Sequence, residues 1–116
     1  MELVCYKKCG TCTKAKKFLM AHNLTVTYRE IVEDPLTLEE LKEVYQRSGL
    51  PMKKLLNTSG LLYRSLNMKE KMKTYKEEEI LALLAQEPML VKRPVLKTEE
   101  VVLVGFSEEE WVEKLL

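Results

Sequence analysis

Apolar residues fall along this chain in two rhythms. Glu2-Leu3-Val4-Cys5-Tyr6 is a short, nearly continuous apolar run, the pattern of a strand covered on both faces. From about Gly10 to His22, Ala15, Phe18, Leu19 and His22 recur at helical spacing, while Lys14, Lys16 and Lys17 turn to water. Thr25-Val26-Thr27-Tyr28-Arg29 is rich in β-branched residues and bounded by Asn23 and Asp34-Pro35, so it predicts a second strand. Strand, helix and strand in this order imply a parallel pair with a right-handed crossover.

Helix starts are marked further along. In Leu36-Thr37-Leu38-Glu39-Glu40-Leu41, Thr37 caps, Glu40 reaches back and Leu36 staples to Leu41. The helix that follows carries Leu38, Leu41, Tyr45 and Ser48 on one face and stops at Gly49 and Pro51. Thr74 with Glu77 predicts a second capping box, opening a helix from Glu77 to Gln86. Phe106-Ser107-Glu108-Glu109-Glu110-Trp111 predicts a third, with Phe106 stapled to Trp111. Short helices are expected around Leu55-Leu56 and Leu61–Leu66. Val95-Leu96-Lys97 and Val101-Val102-Leu103-Val104 flank a short turn and predict an antiparallel hairpin. The order β-α-β, a helical block over about residues 36–86, then β-β-α predicts an α/β domain. Its architecture is thioredoxin-like (glutaredoxin-like), with a mixed four-stranded sheet and the helical block as an insert.

Composition narrows the picture. The 116 residues suffice for one domain with one core, spanning 1–116, and 32% charged with 46% apolar residues is an ordinary globular mixture. A formal net charge of +1 gives no field for non-specific binding to nucleic acid or an anionic membrane, so no direct nucleic-acid partner is expected. No window is long and apolar enough to span a bilayer, and Glu2 with a very short first apolar run is unlike a signal peptide. The expected location is cytoplasmic. Three cysteines, Cys5, Cys9 and Cys12, do not make a secreted disulfide framework; a close pair in a reducing compartment points to catalysis, redox sensing or metal.

Cys9-Gly10-Thr11-Cys12 sits between the first strand and the first helix. A thiol reacts as its thiolate, and a helix start with Lys7, Lys8 and Lys14 nearby favours an anion at Cys9. Cys12, one turn inside, reaches back to Cys9, which makes Cys9 the expected attacking thiol and Cys12 the resolving thiol of a redox-active disulfide. Gly10 is expected to allow a tight entry turn. A zinc site would need about four ligands. His22, the chain's single histidine, lies ~15 Å along the helix from Cys12 at ~1.5 Å per residue, so no metal is expected. Cys5 reads as a small core residue.

A second constellation is Leu90-Val91-Lys92-Arg93-Pro94-Val95, which places two cations and a proline before the third strand. In a thioredoxin-like frame this segment lies beside the redox helix. There a cis X-Pro bond at Pro94 would present backbone to substrate, and Arg93 would stand near Cys9 as an anion-binding cation.

Tyr6-Lys7-Lys8-Cys9-Gly10-Thr11-Cys12, Leu55-Leu56-Asn57-Thr58-Ser59-Gly60, Tyr63-Arg64-Ser65-Leu66-Asn67, Pro88 to Val95 and Val104-Gly105-Phe106 appear in order over nearly the whole chain. Together they resemble the ArsC-like family, which includes glutaredoxin-coupled arsenate reductases and Spx-type redox regulators. The resemblance implies a thioredoxin-like fold with a helical insert, Cys9 as nucleophile and Arg93 as an active-site residue. It also implies substrate contacts from Gly10, Thr11 and Pro94, with Asn57 and Arg64 as candidates in the insert. Arsenate-reducing members have Ser where this chain has Cys12, and use three arginines around the oxyanion. Only Arg93 matches one of those positions; Asn57 stands at another and the last falls at or near Phe106. The expected activity is thiol–disulfide exchange by Cys9 and Cys12, with arsenate reduction as its narrower variant. It needs no bound cofactor, only an external thiol reductant (glutathione, a bacterial equivalent or thioredoxin) and an oxidised protein or small-molecule substrate. The alternative is an Spx-type regulator that binds RNA polymerase, although the chain closes at Leu116, soon after its last predicted helix, with no tail for a partner.

Overall fold

A computed structural model describes residues Met1–Leu116. β1 (Glu2–Cys5), α1 (Gly10–Ala21) and β2 (Thr27–Glu30) form the opening unit, and β1 and β2 pair in parallel. Then come α2 (Leu38–Ser48), a 3-10 turn over Met52–Leu55, α3 (Leu61–Ser65), α4 (Met68–Thr74), α5 (Glu77–Gln86) and a 3-10 turn over Pro88–Leu90. β3 (Val95–Lys97), β4 (Val102–Val104) and α6 (Glu108–Leu115) complete the chain. The four-stranded sheet has the order β2-β1-β3-β4, with β3 antiparallel to both neighbours, so the expected mixed sheet is present.

Side chains alternate across β1 and divide the interior in two. Leu3 and Cys5 face α1 and α6, joining Cys12, Ala15, Phe18, Leu19, Leu96, Leu103 and Trp111 in one buried cluster. Val4 points the other way, into a cluster with Ile31, Leu41, Val44, Leu81, Leu84, Val95 and Val102 that α2, α5 and the insert cover. A strand buried on both faces needs apolar residues at consecutive positions, which is why Leu3-Val4-Cys5 reads as a run.

The caps explain where the helices begin. Thr37 Oγ1 accepts from the Glu40 N–H at 3.2 Å and Glu40 Oε1 accepts from the Thr37 N–H at 3.0 Å, the anticipated reciprocal box. Gly49 ends α2 in the left-handed region at φ 66°, a conformation glycine adopts without Cβ strain. Ser107 Oγ accepts from the Glu110 N–H at 3.4 Å, and the Phe106 and Trp111 rings meet edge-on at 4.9 Å.

Several expectations need correction. β2 runs Thr27–Glu30 instead of 25–29, because its register against β1 carries pairing on to Cys5 opposite Glu30. Thr74 opens no helix: it is the last residue of α4, and its hydroxyl donates to the Glu70 carbonyl at 3.4 Å. The start of α5 is Lys76, whose N–H donates to Glu79 Oε1 at 3.0 Å; a lysine side chain has no acceptor, so only this half of a box exists. His22 is exposed at the end of α1 and stacks on Phe18 at 4.4 Å, outside the buried stripe. On α2 the buried residues are Leu41 and Val44, with Leu38, Tyr45 and Ser48 only half-buried.

Candidate functional site: a dithiol beneath an arginine loop

Strand β1 ends at Cys5, and the chain turns through Tyr6-Lys7-Lys8 into α1. The turn is fixed by the Cys9 N–H donating to the Tyr6 carbonyl at 3.0 Å and the Lys7 N–H donating to Glu30 Oε2 at 2.9 Å. Cys9 takes the N-cap position with extended backbone (φ −90°, ψ 116°), and its side chain does not cap the helix. Its carbonyl accepts the Thr13 N–H at 3.2 Å and the Thr13 hydroxyl at 3.4 Å, leaving the sulfur for chemistry. Cys9 is half-buried, whereas Cys12 is 1% exposed, so one thiol meets solvent and the other lies underneath.

All three cysteines are free thiols. Cys5 and Cys12 are buried in one cluster, against which Cys9 packs. The neighbouring Cys5 thiol and burial push Cys12 above the ordinary thiol range. The Cys12 thiol in turn lowers Cys5, against the opposing effect of burial. No set of at least three His, Cys, Asp or Glu side chains converges on a centre able to hold a metal.

Gly10 and Thr11 are exposed on the outer surface of this turn. Gly10 is helical without positive φ, and a Cβ there would meet nothing within 4 Å. The entry turn therefore does not require glycine, and what Gly10 provides is open surface next to the dithiol. Thr11 borders a depression shared with Lys54, Lys92, Gly105, Phe106 and Ser107.

The loop before β3 reaches the same place by sheet register. Val4 is paired with Val95, so antiparallel continuation sets Cys5 against Pro94 and Tyr6 against Arg93. The Arg93 guanidinium lies over the Tyr6 ring at 5.5 Å, and its Nη1 donates to the Met89 and Val91 carbonyls at 3.2 and 3.1 Å. Arg93 Nε is buried without a partner. The Arg93-Pro94 bond is cis, and the buried Pro94 carbonyl accepts the Gly105 N–H at 2.8 Å.

The insert is tied to this loop. Leu56 bridges Val91, the Asn57 N–H donates to Leu90 at 2.8 Å, and the Lys92 N–H donates to Leu55 at 2.8 Å. Asn57 is half-buried and its Oδ1 accepts from Ser59 Oγ at 3.3 Å; a Cβ at Gly60 would fall 2.6 Å from Asn57 Nδ2. Asn57 thus shapes its own turn. Arg64 is exposed on α3, which packs against the Pro88–Leu90 turn. Phe106 belongs to the aromatic group with Phe18 and Trp111.

Three neighbours of the dithiol carry no role in the sequence reading. Cys5 is the core residue the sequence predicts, and it lies in the same buried cluster as Cys12. Tyr6 supplies both the carbonyl that holds Cys9 and the ring beneath Arg93. Glu30 falls outside the predicted strand, although the Cys5–Glu30 register puts a carboxylate beside the turn. The usable signal is register: carrying the second strand one residue past Arg29 sets Glu30 opposite Cys5, where β1 ends one residue short of the predicted Tyr6.

Comparison with known proteins agrees with this picture. The model of the ArsC family matches residues 5–114. The structure is similar to that of an ArsC family related protein from Bacteroides fragilis, at 50% identity and TM-score 0.93, covering 97% of this chain and 94% of that one. It is also similar to a protein from Streptococcus mutans UA159 described as a possible arsenate reductase, at 33% identity and TM-score 0.86, covering 96% of each. The global transcriptional regulator Spx 1 of Bacillus cereus is 28% identical over 102 residues, which is 88% of this chain and 76% of the regulator. The fold is that of the thioredoxin-like ArsC proteins, and the chain belongs to the ArsC family.

Proposed function

We propose that this chain is a thiol–disulfide oxidoreductase in which Cys9 attacks and Cys12 resolves. The observation that carries the reading is a buried Cys12 one turn inside α1, in the cluster against which the half-buried N-cap residue Cys9 packs. Cys9 attacks one sulfur of an oxidised substrate, the other sulfur leaves with the electron pair, and a mixed disulfide remains on Cys9. Cys12 gives up its proton, attacks Cys9 Sγ and expels the bound thiol, closing the Cys9–Cys12 disulfide. An external thiol, such as glutathione, a bacterial equivalent or thioredoxin, returns the pair to the reduced state.

Arg93 stands on the Tyr6 ring as the cation for an anionic substrate group, with Gly10, Thr11 and Pro94 as backbone-lined surroundings. Arsenate is a poor fit to this loop. A tetrahedral oxyanion held by Arg93 alone lacks charge-assisted hydrogen bonds worth about 1.5–3 kcal/mol each, since Asn57 holds a turn and Phe106 packs in the aromatic group. The test is a trap. Cys12→Ser treated with oxidised glutathione should accumulate a glutathione adduct on Cys9, while the unaltered chain passes on to its internal disulfide. A Cys12→Ser protein that acquires no adduct on Cys9 would sink the proposal.

The second reading is a redox-switched regulator that contacts RNA polymerase, supported by the similarity to the Spx 1 regulator. There the disulfide alters a surface rather than turning over. Capture of polymerase subunits by one redox form and not the other would favour it; equal absence in both forms would leave the exchange reading.

A further inference from the structure

Beside the dithiol lies a depression whose positive charge the exchange cycle above does not use. It encloses about 470 Å3 and draws its wall from separate parts of the chain: Thr11 of the Cys9–Cys12 turn, Lys54 of the insert, Lys92 of the loop before β3, and Gly105 and Ser107 after β4. The Lys92 N–H donates to the Leu55 carbonyl at 2.8 Å, which sets Lys92 alongside Lys54. Arg93 faces elsewhere, over the Tyr6 ring, so two consecutive cations supply two different walls. Gly105 fixes the course of the Lys92 side chain. It is buried, and a Cβ on it would fall 3.4 Å from Lys92 Cε and 4.0 Å from Lys92 Cγ. The half-buried Lys92 stem therefore lies across bare backbone on its way to the depression.

The charge there is unspent. Lys54 and Lys92 form no ion pair with any carboxylate, although Glu110 lines the same depression. Two cations against one carboxylate leave an excess of positive charge in a concave setting, which attracts an anion. The volume falls within the range of small-molecule sites, about 300–1,000 Å3, whereas docking of a protein surface needs no such hollow. We propose that Lys54 and Lys92 form a carboxylate subsite that selects small disulfides whose thiol units carry carboxylates. The inference rests on the Cys9–Cys12 exchange reading and names its substrate class. The lysines hold a carboxylate of the substrate, not its sulfurs. Cys9 Sγ still forms the new S–S bond, the substrate's own S–S bond breaks, and the departing thiolate takes a proton from solvent. A neutral disulfide meets the same Cys9 without help from either lysine.

The test uses the full-length reduced chain, unaltered and with Lys54→Gln and Lys92→Gln together. Each protein is mixed with oxidised glutathione, which carries carboxylates, or with the neutral disulfide of 2-mercaptoethanol. Loss of the free Cys9 thiol is followed by acid quenching and alkylation. In the double variant, oxidation by glutathione disulfide should slow about fivefold or more, while the neutral disulfide should react within about twofold of the unaltered rate. S-methylglutathione has the carboxylates but no exchangeable sulfur. It should slow oxidation of the unaltered chain by the neutral disulfide and lose that effect in the double variant. Equal slowing with both disulfides, unchanged rates with both, or no protection by S-methylglutathione would overturn the subsite and leave the exchange reading standing. A Cys9 that neither disulfide oxidises would overturn both.

Discussion

Arg29 and Glu40 join β2 to the first turn of α2, and Glu40→Gln tests how much that link is worth. Arg29 meets the carboxylate with two nitrogens at 2.6 and 2.9 Å, while Glu40 Oε1 also accepts the Thr37 N–H at 3.0 Å. The hydrogen bonds from Arg29, against the opposing effect of burial, hold the Glu40 carboxyl down to about 2 from its ordinary 4.5. At ~1.4 kcal/mol for each tenfold change in proton affinity, that difference corresponds to about 3 kcal/mol at most. The Glu40 side chain is 27% exposed, so solvent screening brings the expected loss to about 2 kcal/mol at neutral pH. The folded carboxyl titrates below the unfolded one. Its contribution is therefore complete above the ordinary value of 4.5 and drains away as pH falls towards 2. Urea unfolding of the wild type and Glu40→Gln at pH 7 and near pH 3 reads the effect. The gap between the two proteins should shrink to less than half at the lower pH. A gap under about 0.5 kcal/mol at pH 7, the range of an inert surface change, or one that does not narrow in acid, refutes the reasoning.

Further outcomes follow from other contacts. Trp111 is fully buried and stacks edge-on against Phe18 and Phe106, so Trp111→Ala should cost about 3–5 kcal/mol in chemical denaturation. Gly49→Ala meets no atom within 4 Å but must adopt φ 66°, which should lower stability by about 1 kcal/mol through backbone strain alone. Tyr6→Leu removes the ring beneath Arg93. Its loss in rate towards an anionic mixed disulfide should overlap with that of Arg93→Lys, so the double variant is little worse than either single one; fully additive losses would show that the stack does not position Arg93.

Much of this fold is legible from local chemistry. The Thr37–Glu40 box and the Phe106–Trp111 contact depend on residues within five positions and are present as their patterns predict, whereas of the box expected at Ser107 only the half in which its hydroxyl accepts the Glu110 N–H is formed. The α5 start is illegible by the same route, because Thr74 satisfies its hydroxyl on the preceding helix and leaves Lys76 at the N-cap. At the site, the positions of Cys9 and Cys12 follow from a strand, a turn and a helix in immediate succession. The Arg93–Tyr6 stack does not, because it joins segments whose register is set by the sheet. A single-residue step in where a strand ends decides whether Glu30 is read as loop or as the partner of Cys5.

The most direct test of the account is a redox titration of the whole chain in glutathione buffers, with Cys9 read by acid quenching and alkylation. The account predicts a single two-electron step, with a midpoint between about −270 and −120 mV, in which Cys9 loses its free thiol to an internal disulfide with Cys12. Contradiction would be a Cys9 that stays alkylatable across the range, or one that ends as a stable glutathione adduct beside a free Cys12.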